Sequence, residues 1–182
     1  MKKVLPLEYI SKSDSSISRE FSERACGAIC VGMILKTKKK KFGNMDDLIK
    51  HGISIDAYIE EVGWSHQGLV NLMSEYSVSA RLKGYKRKNR TVKKDFSLDE
   101  RFEIDFIQNL KKNRQIIASV EPCFSTNNSS HLVVIHGFQI DDQNEKKVWL
   151  ISDSSSTASR EEWIDAEYFK DYFRGLVMIT DE

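Results

Sequence analysis

Two prolines and three cysteines are little punctuation for a chain of 182 residues. With so few prolines and only nine glycines, no stretch reads as a long linker. An odd number of cysteines argues against a closed disulfide framework. No apolar run approaches the length of a membrane span, and "MKKVLPLEYISKSD" breaks its apolar stretch too early for a secretory signal. The chain is therefore expected to be cytoplasmic, with its thiols reduced. An excess of one charge is missing as well. Twenty-eight Lys and Arg against 27 Asp and Glu leave a net charge of +1, which favours neither nucleic acid nor a membrane as a global partner. No internal repeat is present.

What remains is an ordinary soluble composition, 40% apolar and 30% charged, long enough to bury its own core. A single domain over residues 1–182 is expected, with 1–20 as a patternless N-terminal extension over the surface. "ACGAICVGMIL", residues 25–35, reads as a mostly buried helix, and "KTKKKKFGN" as its break. "GISIDAYIEEVG" places Ile55, Ile59 and Val62 at helical spacing behind a Ser54 cap. Ser65 caps a further helix carrying Leu69, Leu72, Met73 and Tyr76 on one face. Residues 83–96 read as a loop or insertion, basic over 83–94. Ser97 and Glu100 form a capping pattern before Phe102, Phe106 and Leu110.

The last third changes period. "QIIASVE", "HLVVIHGFQI" and "KVWLISD" read as strands, the last two joined as a hairpin through "DDQNEK". A short helix from Trp163 to Phe173 and a final strand "GLVMIT" follow. Helices first and an antiparallel sheet second is the α+β pattern.

Three residues along this layout can do chemistry together. A thiol becomes a nucleophile as the thiolate, which a helix N-terminus favours, and Cys26 stands at such a position. Gly27 keeps the backbone beside it uncrowded, and the same amides can receive an oxyanion. Cys30 lies one turn deeper and reads as core. Of four histidines, His131 opens a strand beside the polar "STNNSS", while His136 has the opposite parity and reads as structural. His51 and His66 read as solvated surface. Asp153 ends the neighbouring strand, at the same end of the hairpin as His131, and can accept a hydrogen bond from the imidazole. Cys26, Cys30 and Cys123 lack the paired spacing of a zinc knuckle, so no metal is expected.

The order cysteine, histidine on a strand, aspartate ending the next strand resembles the bacteriocin-processing (double-glycine leader) peptidases and their stand-alone relatives, which are papain-like cysteine peptidases. "ACGAICVGMIL", "HLVVIHGFQ" and "VWLISD" carry the resemblance. The middle region "GISIDAYIEEVGWSHQGLVNLMSEYSVSARL" and the closing "FKDYFRGLVMIT" are similar to the family's too. The resemblance implies a papain-like fold with N-terminal helices packed on a C-terminal antiparallel sheet. It implies Cys26 as nucleophile, His131 as general base and acid, and Asp153 as the orienting group. No cofactor is implied. The substrate implied is a peptide or protein, cleaved after small residues such as a double glycine, and a separate transporter is an implied partner.

Two positions depart from the family's pattern. Glu20 stands where the family carries an oxyanion-hole glutamine, and Ser154 replaces a proline. The oxyanion donor is then expected from a protonated Glu20, from Ser22, or from a backbone amide such as that of Gly27. The competing reading is a catalytically degenerate peptide-binding domain of the same fold. The basic segment reads as a solvated loop. Only Tyr85 interleaves its charges, so no nucleic acid is expected there.

Overall fold

The computed structural model describes residues 1–85, 101–121, 131–141, 146–155 and 161–181. Cys123, the capping pattern at Ser97 and Glu100, and the basic segment from residue 86 onward lie outside them. Among the described residues the chain runs β1 (Lys2–Val4), α1 (Arg19–Ser22), α2 (Cys26–Thr37), α3 (Met45–Ser54), β2 (Tyr58–Ile59), β3 (Gly63–Trp64) and α4 (His66–Glu75). It continues as β4 (Ala80–Gly84), α5 (Arg101–Lys111), β5 (Ile116–Val120), β6 (His131–Asp141), β7 (Lys146–Ser152), β8 (Glu162–Asp165), α6 (Ala166–Tyr172) and β9 (Phe173–Thr180). The fold is α+β.

One antiparallel sheet, in the order β4-β9-β5-β6-β7-β8, forms the frame, with β1 pairing the far half of β6. Its central strands are buried on both faces, and their side chains alternate between two apolar clusters as a strand's period of two requires. Ile117, Leu132, Val134 and Met178 join the cluster built by α2, α3 and α4. Ile116, Ala118, Val133, Ile135, Val177 and Ile179 join the one built by α5 and α6. Phe102, Phe106 and Leu110 recur every four residues along α5 and are fully buried in that second cluster. Helix α2 is buried on all sides from Gly27 to Leu35, which is why its sequence is apolar without a polar stripe.

Four expectations need correction. The helical spacing of Ile55, Ile59 and Val62 is not a helix. A helix ends at Ser54, Asp56 turns the chain at positive φ, and 58–64 form a small hairpin, β2 with β3, with Glu61 and Gly63 at positive φ. Ile59 and Val62 are exposed on it. The helix actually present, α3, starts from Asn44, whose side chain accepts from the Asp47 amide while Asp47 accepts from the Asn44 amide.

The N-terminal stretch is not a surface extension. β1 extends the sheet, and Leu5, Leu7, Ile10 and Ile17 are buried. Trp163 lies in β8, which pairs with β7, and helix α6 begins only after its Asp165 cap. Tyr85 closes the second aromatic cluster against Phe102, Phe106 and Phe173 instead of lying in a solvated loop. Its amide donates to Gly175 O (2.7 Å), continuing the β4–β9 pairing.

Candidate active site

Cys26 is the first residue of α2 and is partly exposed, whereas the nine residues after it are buried. Its predecessor Ala25 supplies no side-chain cap, so the first amides of the helix are without the usual intrahelical or capping acceptor. Unpaired amides and the helix dipole favour negative charge at that point.

His131 and Asp153 come to this helix end from the sheet. Val134 pairs with Ser152 at the last rung of β6 and β7. Asp153 follows that rung directly, and its carboxylate reaches the ring of His131, the first residue of β6. The His131 Nε2 lies 2.7 Å from Asp153 Oδ1. The ring's second hydrogen-bond partner is Cys26. Burial by itself would lower the imidazole pKa. The hydrogen bonds to Asp153 and Cys26, together with their charges, outweigh it and raise the pKa from 6.5 to about 10. Burial pushes the Asp153 carboxyl up, but the bonds from His131 and from the Ser155 amide (2.8 Å) hold it below its usual 3.8.

Beside Cys26 lies an open groove of about 160 Å³, lined by Glu23, Arg24, Tyr58, Val62, Gly63, Trp64 and Leu132. Its outer wall is the β2–β3 hairpin, held to the segment before α2 at two points. The Trp64 indole Nε1 donates to Arg24 O, and Arg24 pairs with Glu60 at 3.3 Å. Tyr58 meets Trp64 edge to face, with ring centroids 5.3 Å apart.

The Peptidase_C39 like family matches residues 5–178. The chain belongs to the Peptidase_C39 like family. The double glycine motif protease from an AMS/PCAT transporter, crystallised with a leader peptide, is 16% identical with a TM-score of 0.57, over 99% of this chain and 95% of that one. The peptidase domain of Streptococcus ComA, a bifunctional ABC transporter of a quorum-sensing pathway, is 13% identical with a TM-score of 0.56, over 99% and 98%. A C39-like peptidase from Bacillus anthracis is 15% identical with a TM-score of 0.64, over 100% and 98%. At these identities the likeness is one of fold, and the fold is papain-like. A search of curated protein sequences gives no match. No helix among the described residues is long and apolar enough to cross a membrane.

Within this Peptidase_C39 like domain the remaining candidates are placed as follows. Glu20 is exposed on α1, and neither it nor Ser22 lines the groove. Ser22 Oγ donates to Arg19 O at 3.1 Å. At Gly27 the space beside the backbone is not open. A Cβ there would lie 2.5 Å from Trp64 Cγ, and one at Gly52 would lie 2.5 Å from the far edge of the same indole. Both glycines are where they are because Trp64 is wedged between α2 and α3, and the indole's place sets the groove wall.

Cys30 is fully buried, its Sγ 3.4 Å from Leu132 O, and burial pushes its thiol well above the usual range. His136 is buried at the β6 bulge, with Nδ1 3.0 Å from Leu5 O and Nε2 3.2 Å from Ser152 Oγ. His51 Nδ1 lies 2.9 Å from the Tyr76 hydroxyl. His66 heads α4 half-buried, and burial lowers its imidazole. Trp64 and Tyr58 were missed as groove residues because no local pattern marks a side chain that acts from a two-residue strand.

Proposed function

We propose that this domain is a cysteine peptidase that hydrolyses peptide bonds through an acyl-thioester. The observation that carries the reading is the hydrogen-bonded chain Cys26–His131–Asp153, set where α2 begins and beside an open groove. His131, held protonated by its two partners, pairs with the Cys26 thiolate. The Cys26 Sγ attacks the substrate carbonyl, and the amides at the start of α2 receive the developing oxyanion. The His131 imidazolium gives its proton to the leaving amine as the C–N bond breaks, which leaves the acyl group on sulfur. Water then adds to the thioester while neutral His131 takes its proton. Collapse releases the acid and restores the thiolate–imidazolium pair.

The bound peptide is extended and carries small residues at the scissile bond. The wall formed by Trp64 and Gly63 supports that preference, as does the double glycine motif in the description of one structural relative. Its source is a leader-bearing precursor handled by a transporter, a reading supported by the descriptions of two structural relatives. The test is incubation with a mixture of peptides containing and lacking paired small residues, followed by mass spectrometry. Cleavage after small residues by the native chain, and none by Cys26→Ala or His131→Ala, is expected. Peptides bound but left uncut by the native chain would favour the non-catalytic binding domain instead.

A further inference from the structure

We propose that Tyr9 is a positioning residue for the Asp153–His131 pair, acting through the main chain at Asp153. The inference rests on the catalytic reading only in calling that pair part of the reactive group. The last ladder residue of β7 is Ser152, so the peptide groups that follow it have no sheet partner. Asp153 and Ser154 are nevertheless buried, with exposures of 8% and 1%. Buried carbonyls require donor partners, and the N-terminal segment supplies both. The Tyr9 hydroxyl donates to Asp153 O at 3.0 Å, and the Lys12 amide donates to Ser154 O at 2.9 Å.

The segment that carries these donors is itself fixed. The Leu5 amide donates to His136 O (2.7 Å), the Glu8 amide to Thr37 Oγ1 (2.8 Å), and Ile10 is 1% exposed against Gly32 of α2. Residues 5–12 thus run as a strap from the middle of β6, over α2, to the residue that orients His131. Tyr9 packs its ring against the core and places one oxygen on the backbone of that residue. Loss of the oxygen leaves Asp153 O buried without its donor, and the carboxylate loses a fixed base from which to hold the imidazolium.

The experiment compares the native chain, Tyr9→Phe and, as a stability control across the sheet, Phe102→Leu. It follows the His131 ring by NMR titration, identified by its loss in His131→Gln, and times alkylation of Cys26 by iodoacetamide at neutral pH. Tyr9→Phe is expected to lower the His131 midpoint by roughly 0.7 pH unit and to slow alkylation about fivefold, the worth of one neutral hydrogen bond. Phe102→Leu is expected to lower the Tm and move neither. A native titration in Tyr9→Phe, or an equal shift in Phe102→Leu, would overturn the proposal. A native Cys26 that proves inert, while Tyr9→Phe still moves the midpoint, would sink the catalytic reading and leave this one standing.

Discussion

His131, the first residue of β6, and Asp153, the residue after β7, are joined through Nε2 and Oδ1 at 2.7 Å. That contact fixes the ring by Nε2, and together with the hydrogen bond to Cys26 it favours the charged imidazole.

That contact makes stability depend on pH in a defined direction. The His131 pKa is raised in the fold, so its contribution is fully present below 6.5 and is lost as pH rises towards about 10. The Asp153 pKa is depressed, so its contribution is present above 3.8 and is lost as pH falls through the lowered value. Urea unfolding of the native chain and of His131→Gln across pH 3–10 should give a difference curve that is highest between these limits and declines on both sides. A flat difference curve would mean that the pair is not coupled.

Gly27→Ala should be destabilising out of proportion to one methyl group. The new Cβ would meet Trp64 Cγ at 2.5 Å, and the indole has Gly52 on its other side. A loss of about 1–3 kcal/mol is expected, as for overpacking in a core. It should be accompanied by a shifted tryptophan emission, and denaturant titration reads both. A variant as stable as the native chain would show that Trp64 has room to move.

Asn44→Ala should cost about 1 kcal/mol by the same measurement, since it removes the reciprocal cap at the start of α3. An unchanged denaturation midpoint would contradict it.

Glu20→Gln tests where the oxyanion is received. Glu20 is exposed and outside the groove lining. The variant should therefore bind a glycine-ended peptide aldehyde, which forms a hemithioacetal on the thiol, within about twofold of the native chain, as surface changes usually do. A large gain in affinity would place residue 20 at the oxyanion.

Much of this arrangement was legible in the amino-acid order, from one helical period and several unbroken apolar runs. The α5 face of Phe102, Phe106 and Leu110 repeats at helical spacing, whereas the helix after Cys26 and the strands that begin at His131 and lead into Asp153 show as continuous apolar stretches. Features that rest on single tertiary contacts were not legible. Ile55, Ile59 and Val62 imitate a helix because three apolar residues at such spacing also occur by chance across a hairpin. The capping pair of Asn44 and Asp47 was the signal that would have placed α3 correctly. The strap of residues 5–12 has no period at all. Its burial comes from α2 and β6, far along the chain, and only the folded chain brings Tyr9 to Asp153.

The most direct measurement of the central claim is the rate at which iodoacetamide modifies each cysteine of the folded chain at pH 6, resolved by mass spectrometry. An ordinary thiol is almost wholly protonated there. The thiolate–imidazolium pair predicts that Cys26 reacts at least about tenfold faster than a cysteine in the unfolded chain. His131→Ala should abolish the advantage, and Cys30 should stay unmodified. A Cys26 that reacts no faster than the unfolded chain, or that is indifferent to His131→Ala, would contradict the account.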